Sequence, residues 1–274
     1  MSSQAIGLSK RERALLSEWE RGRKTSVSLA EIAREVGESV SRMVASTLVR
    51  KGVLDRIRPG LYAIRPFRAV ARPWALPSLV AVELLLAGKP HYVGGLAAFT
   101  LHRLTQQQHA SVVDAFVTSF RRPRRLGNAT VRFHRRKAAV FASGLTRIEI
   151  GGTSVAVSDP ERTVLDALEG PAIVGGMHEA VRLFAEAMPR LDHAVLAAYA
   201  LEIARDSTCQ RLGLLLERSK VDGPFMDDLR QRAARSTGVH LLIPDADRTG
   251  PADPVWHVIE NDLSHADADF TRPT

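Results

Sequence analysis

Serine and arginine are side chains through which a helix touches a nucleic acid, and one short stretch concentrates them. Ser39, Ser41, Arg42 and Arg50 fall at helical spacing, and Arg56 and Arg58 follow on an alternating, strand-like segment. Hydroxyl and guanidinium groups donate to phosphate oxygens and base edges, and small residues between them allow close approach to a major groove. No carboxylate interrupts the chain from Ser39 to Leu54. These six residues are the candidate DNA contacts.

A second basic run comprises Arg121, Arg122, Arg124, Arg125, Arg132, Arg135, Arg136 and Lys137, with no acidic residue between Arg121 and Lys137. Three readings fit it: a second phosphate-backbone contact, a surface for an acidic protein partner, or a solvated loop with basic flanks. Candidates for catalysis are weaker. Gly94-Gly95 after a strand, with Asp114 on a later one, faintly resembles a nucleotidyltransferase site, where a glycine turn holds phosphate and two carboxylates bind metal. Phe116 stands where the second carboxylate would be. Ser119 has no evident base partner. The nine histidines show no metal-ligand spacing, and the single cysteine, Cys209, has no disulfide partner within the chain. No catalytic residue, metal or cofactor is expected.

The elements that carry the first cluster can be placed from their ends. Ser28 and Glu31 form a capping-box pattern ahead of a helix whose buried face is Leu29, Ile32, Ala33 and Val36. Gly37 ends that helix, and a second begins near Ser39. Its apolar face reads Val40, Met43, Val44, Thr47 and Leu48, and its polar face Ser39, Ser41, Arg42, Ala45, Ser46 and Arg50. Residues 53–58 and 61–64 alternate as strands about a Pro59-Gly60 turn, which puts Arg56 and Arg58 near a hairpin tip. An earlier helix, capped by Ser9 with Glu12, offers Leu15, Leu16 and Trp19. Two helices, a tight turn and a basic hairpin are the layout of a winged helix-turn-helix.

The whole chain has 274 residues, a 45% hydrophobic fraction and a net charge of +8. Met1–Arg72 holds 15 basic and 7 acidic residues, whereas 244–274 holds 2 and 7. That asymmetry places a polyanion partner at the amino-terminal end. No apolar run approaches membrane-spanning length, and MSSQAIGLSKRER lacks an apolar signal region, so a cytoplasmic protein with no membrane partner is expected. Pro73 and Pro77 mark 67–77 as a linker. The fold class is therefore α+β, an amino-terminal winged helix-turn-helix (1–66) joined to a larger mixed α/β domain with additional carboxy-terminal helices (78–243), and an acidic, irregular tail (244–274). Strands are expected at 112–118, 130–134, 146–150 and 154–157. A helix capped by Ser158 with Glu161 follows, then helices near 178–188, 192–205, 210–218 and 225–234.

The winged-helix segment, followed by Tyr92-Val93-Gly94-Gly95-Leu96, His102-Arg103-Leu104 and Ser158-Asp159-Pro160-Glu161-Arg162-Thr163-Val164-Leu165-Asp166, resembles the AbiEi-type antitoxin family of abortive-infection toxin–antitoxin pairs. The resemblance spans roughly residues 8–188 and rests on the order and separation of short motifs. It implies a winged helix that represses its own promoter and a larger domain that counteracts a nucleotidyltransferase-type toxin. The alternative function is a nucleotidyltransferase-like enzyme with a nucleic-acid-binding arm.

Overall fold

A computed structural model describes residues 7–66, 76–106, 111–126 and 129–261. Most of the expected linker, residues 67–75, and the end of the tail, residues 262–274, lie outside the described residues.

The amino-terminal elements are α1 (Lys10–Arg21), β1 (Ser26–Ser28), α2 (Leu29–Val36), α3 (Glu38–Arg50), β2 (Leu54–Arg58) and β3 (Leu61–Ile64). Both capping boxes form: Ser9 with Glu12 starts α1, and Ser28 with Glu31 starts α2. Each satisfies two amide groups that the first turn leaves without helical partners. Gly37, at φ +89°, makes the turn between α2 and α3. The hairpin gains a third strand the sequence had not suggested, since β1 pairs with β3 to give the antiparallel order β1-β3-β2. The core is Leu15, Trp19, Val27, Ile32, Val36, Ala45, Leu48, Val53, Leu54 and Tyr62.

Then come α4 (Ser78–Leu86), β4 (His91–Gly94), α5 (Gly95–Leu101), β5 (Val112–Val117), β6 (Arg124–Leu126), β7 (Ala129–Arg135), β8 (Leu145–Ile150) and β9 (Thr153–Ser158). Strands β4 to β9 form one sheet in the order β6-β7-β5-β4-β9-β8. Within it β4 runs antiparallel to β5 and parallel to β9. Gly151 and Gly152, at φ +58° and +80°, turn β8 into β9. Helices α6 (Pro160–Glu169), α7 (Met177–Ala187), α8 (His193–Ile203), α9 (Asp206–Arg218) and α10 (Pro224–Ala234) follow, and then β10 (His240–Leu241) and β11 (Val258–Ile259), which pair in parallel. Helix α6 starts one residue later than the capping pattern indicated. Pro160 occupies its first turn, so the extended residue before the proline, Asp159, becomes the cap and accepts from the Arg162 amide. Ser158 instead closes β9, fully buried, with its hydroxyl 2.7 Å from that of Thr163.

The chain divides into two compact units, Met1–Lys89 with Pro123–Val131 and Arg147–Val155, and Pro90–Arg122 with Arg132–Thr146 and Ala156–Thr274. In the second, residues 244–261 carry little regular structure and are mostly exposed up to Val255, but Trp256, Val258, Ile259 and Asn261 are buried. Trp256 is fully buried, and its ring lies where a Cβ on Gly213 of α9 would sit, 2.0 Å from the nearest ring carbon. The Asn261 amide closes the same region by bonding the Ile243 backbone at N and O and the Asp247 carbonyl. Among the described residues no helix is long and apolar enough to cross a membrane.

The α2 cap carries a pH dependence. The Ser28 backbone N–H, the Lys24 ammonium and the Ser28 hydroxyl hold the Glu31 carboxyl down at about 2. The folded group stays ionised where the unfolded one, near 4.5, takes a proton. Its stabilisation is therefore complete above that value and is lost as pH falls towards 2. Glu31→Gln is expected to destabilise α2 by about 0.5–2 kcal/mol at neutral pH and to remove this part of the acid sensitivity. Hydrogen exchange of the α2 amides checks it; an unchanged acid profile in the variant would refute the assignment.

Candidate nucleic-acid interface

The exposed face of α3 consists of Ser39, Arg42, Met43, Ser46 and Arg50, one stripe at intervals of three and four residues. Three side chains lie opposite to where the sequence pattern puts them: Ser41 and Ala45 turn inward and Met43 outward. Ser41, expected on this face, is 3% exposed and donates its hydroxyl to the Glu38 carbonyl at 2.9 Å. Met43, expected in the core, is 63% exposed. The inward positions are Ser41, Ala45 and Leu48. Small side chains at two of the three let α2 pack closely against α3. Ser39, Arg42, Ser46 and Arg50 remain outward, and the Arg50 guanidinium also reaches Thr47 Oγ1 at 3.3 Å. Glu38, exposed in the first turn, marks the limit of the acid-free face.

The wing is shaped by a bulge. Between Arg56, opposite Tyr62, and Arg58, opposite Leu61, the register slips by one residue. Ile57 is buried at 3% exposure, while Arg56 and Arg58 are exposed on either side of it. A bulge leaves ladder groups without partners. Arg124 of β6 donates to the Ile57 carbonyl at 3.2 Å. Asp55 and Arg65 form a two-point ion pair at 3.0 and 3.1 Å across the hairpin. Gly60, at φ +77°, permits the turn that follows Pro59.

The second basic run does not form one uniform patch. Arg124 and Arg125 belong to the first compact unit, and Arg121, Arg122, Arg132, Arg135, Arg136 and Lys137 to the second. Arg132 is neutralised by both Asp114 oxygens at 2.8 Å. His134 Nε2 lies 2.7 Å from Asp114 Oδ1. Arg136 lies over the Phe116 ring, 5.1 Å from its centroid. The side chains of Arg122, Arg125, Arg135 and Lys137 are exposed and make no ion pair or hydrogen bond with any described residue. The pairing of Arg132 was not visible in the sequence, because Asp114 precedes it by 18 residues and only the sheet brings them together.

The same packing accounts for Gly94-Gly95. A Cβ on Gly94 would lie 2.6 Å from the Phe116 ring, and one on Gly95, at φ +59°, 3.0 Å from Asp114 Oδ2. The two glycines make room for β5 side chains. Nearby, Arg162 is 1% exposed and bonds Asp166 Oδ1 (3.2 Å), the Tyr92 hydroxyl (2.9 Å) and the carbonyls of Val140 and Ser143 (both 2.9 Å). Tyr92 donates in turn to Asp166 Oδ2 at 2.8 Å. Burial pushes the Asp166 carboxyl up against the pull of Arg162 and Arg136, and burial with the Asp166 charge pushes the Tyr92 hydroxyl well above its ordinary range. Every group here is satisfied by another, so the cluster is a strut. The Cys209 thiol is buried and pushed up to about 11, which leaves it protonated and unreactive at neutral pH. Among the described residues no three histidine, cysteine, aspartate or glutamate side chains gather as metal ligands.

No family model matches the chain, and no curated protein matches it. Among solved structures it is similar to the crystal structure of the RV2827C protein from Mycobacterium tuberculosis, with a TM-score of 0.65 and 15% sequence identity over 93% of this chain and 92% of that one. The two share a fold along nearly their whole lengths.

Arg162→Met tests the strut. It leaves the Asp166 carboxylate buried without its counter-charge and should destabilise the second unit by about 3–5 kcal/mol. Arg162→Met with Asp166→Leu should recover part of that loss, since both charges then go. Thermal and urea unfolding of the full chain measure both; a loss below about 1 kcal/mol in the single variant would remove Arg162 as a keystone.

Proposed function

We propose that this protein is a DNA-binding autorepressor and the antitoxin of a toxin–antitoxin pair of the AbiEi type, acting against a nucleotidyltransferase-type toxin. The observation that carries the DNA-binding half is the acid-free stripe of α3, with Arg42 and Arg50 exposed and unpaired by any carboxylate, next to a hairpin that presents Arg56 and Arg58. An α-helix fits the major groove, and a basic wing meets the neighbouring backbone. Met43, central on the stripe, suits contact with a thymine methyl group. The antitoxin half rests on the resemblance through Tyr92–Leu96 and Ser158–Asp166. Those segments build the strut and the Gly94-Gly95 packing, so they support a stable scaffold for interaction and hold no open carboxylate pair for turnover. We therefore propose that the protein acts by binding and not as an enzyme.

Full-chain point variants separate the two halves. Arg42→Ala should cost about 1–3 kcal/mol on the promoter and relax specificity at one base pair. Arg58→Ala should weaken all duplexes alike and lower the salt slope by about one unit. Ser41→Ala should leave promoter affinity unchanged, because that hydroxyl faces inward. Unchanged affinity in a folded Arg42→Ala/Arg58→Ala double variant would sink the placement. Supplied in trans from an unrelated promoter, the double variant should still relieve growth arrest by the neighbouring toxin. Failure of the parent chain to do so would overturn the antitoxin reading.

A further inference from the structure

Phe120 is 78% exposed in the segment that leaves β5. A lone surface phenylalanine carries little weight; its setting gives it some. Arg121 and Arg122 follow it directly, and the Arg121 guanidinium lies over the Phe133 ring, 6.0 Å from the centroid. The Arg136 amide donates to the Val117 carbonyl at 2.9 Å. The segment bearing Phe120 and the one bearing Arg135 and Lys137 therefore leave the sheet side by side, all within the second compact unit. Some arginines elsewhere in that unit are paired with carboxylates, Arg182 with Glu179, Arg205 with Glu169, Arg218 with Glu260 and Arg232 with Asp206, and others, such as Arg235 and Arg248, are exposed without one but have no exposed aromatic ring in their segment. Arg122, Arg135 and Lys137 have no such partner among the described residues.

We propose that Phe120 with Arg122, Arg135 and Lys137 forms a binding site for an unpaired nucleotide of a nucleic-acid strand. The base stacks on the Phe120 ring, and the three cations hold the adjoining phosphates. Cations without acidic neighbours call for a polyanion. An aromatic ring held out among them offers a face that any base can cover. Base faces inside a duplex are already stacked, so the nucleotide must be single-stranded, looped or flipped. A protein-binding anchor would instead be ringed by further apolar surface that excludes water; the other large exposed apolar side chains among the described residues, Met43, Val239 and Val255, lie in other segments.

The test compares the full chain with Phe120→Ala and Phe120→Trp. Fluorescence anisotropy reads binding to a short labelled single strand, in ribose and deoxyribose forms, and to the same sequence as a duplex. Phe120→Ala should lower single-strand affinity about 5- to 150-fold, the equivalent of one stacked base, and leave duplex affinity unchanged. Phe120→Trp should retain binding and show quenched fluorescence on adding the strand. An abasic strand should bind the parent and Phe120→Ala equally. Preference for the ribose form over the deoxyribose form, or the reverse, identifies which strand the site takes. Equal loss on single strand and duplex would overturn the proposal, as would no loss on either single strand. Loss confined to binding of an acidic protein partner would likewise overturn it and assign Phe120 to a protein interface. Since Phe120 is exposed, unfolding temperatures should match the parent's.

Discussion

A guanidinium taken out of water must find an acceptor for the N–H groups it buries. Arg162 meets that demand by drawing on three parts of the chain: Asp166 on its own helix, Tyr92 on β4, and the carbonyls of Val140 and Ser143. Gly144 is a glycine for the same reason, because a Cβ there would lie 2.7 Å from Arg162 Cβ. The constraint then propagates. Tyr92 stacks on Phe116 with centroids 4.6 Å apart, Phe116 fills the space above Gly94, and β5 thereby delivers Asp114 to Arg132 and His134 of β7. The ends of β5 and β7, from which Phe120 and Lys137 emerge, are fixed by contacts that start at one buried charge.

The winged helix is tied together more cheaply, with groups that serve twice. Glu12 completes the cap of α1 and also binds the Lys51 ammonium at the end of α3, 2.6 Å away. Lys51 reaches the Gly7 carbonyl as well, and Arg11 donates to the last carbonyl of α2, Val36. Three helices are thus held at their ends by side chains, which leaves the middle of α3 free of obligations. That division of labour lets its outer face be chosen for what it touches outside the protein.

Much of this was legible in the sequence, and the failures have particular causes. Capping boxes, the Pro59-Gly60 turn and the apolar periodicity depend on neighbours a few residues apart, and they placed α1, α2, α3 and the wing. The facing of α3 was misjudged because Val40, Met43 and Val44 are apolar while Ser41 and Ala45 are merely small. Close approach of packed helices selects for small size, so Ser41 and Ala45 went inward and Met43 outward. The partners of Asp114, the bracing of the wing by Arg124 and the burial of Trp256 join residues distant in sequence, and no local pattern announces them. Strand β6 is only three residues long and too short for alternation to show.

The seat of Trp256 against Gly213 has a consequence for how the protein comes into being. The winged-helix core is complete at Tyr62, whereas the core of the second unit includes Trp256 and Val258. At roughly 5–20 residues per second, a ribosome spends on the order of 10–40 s on the chain between those two points. During that interval the winged-helix core has all its residues, the first unit gains Pro123–Val131 and Arg147–Val155 on the way, and α9 still waits for its indole. A nascent chain cut short before Trp256 would keep every residue of the first unit and lack the closing wedge of the second, so an interrupted round of synthesis and a completed one yield molecules with different competences.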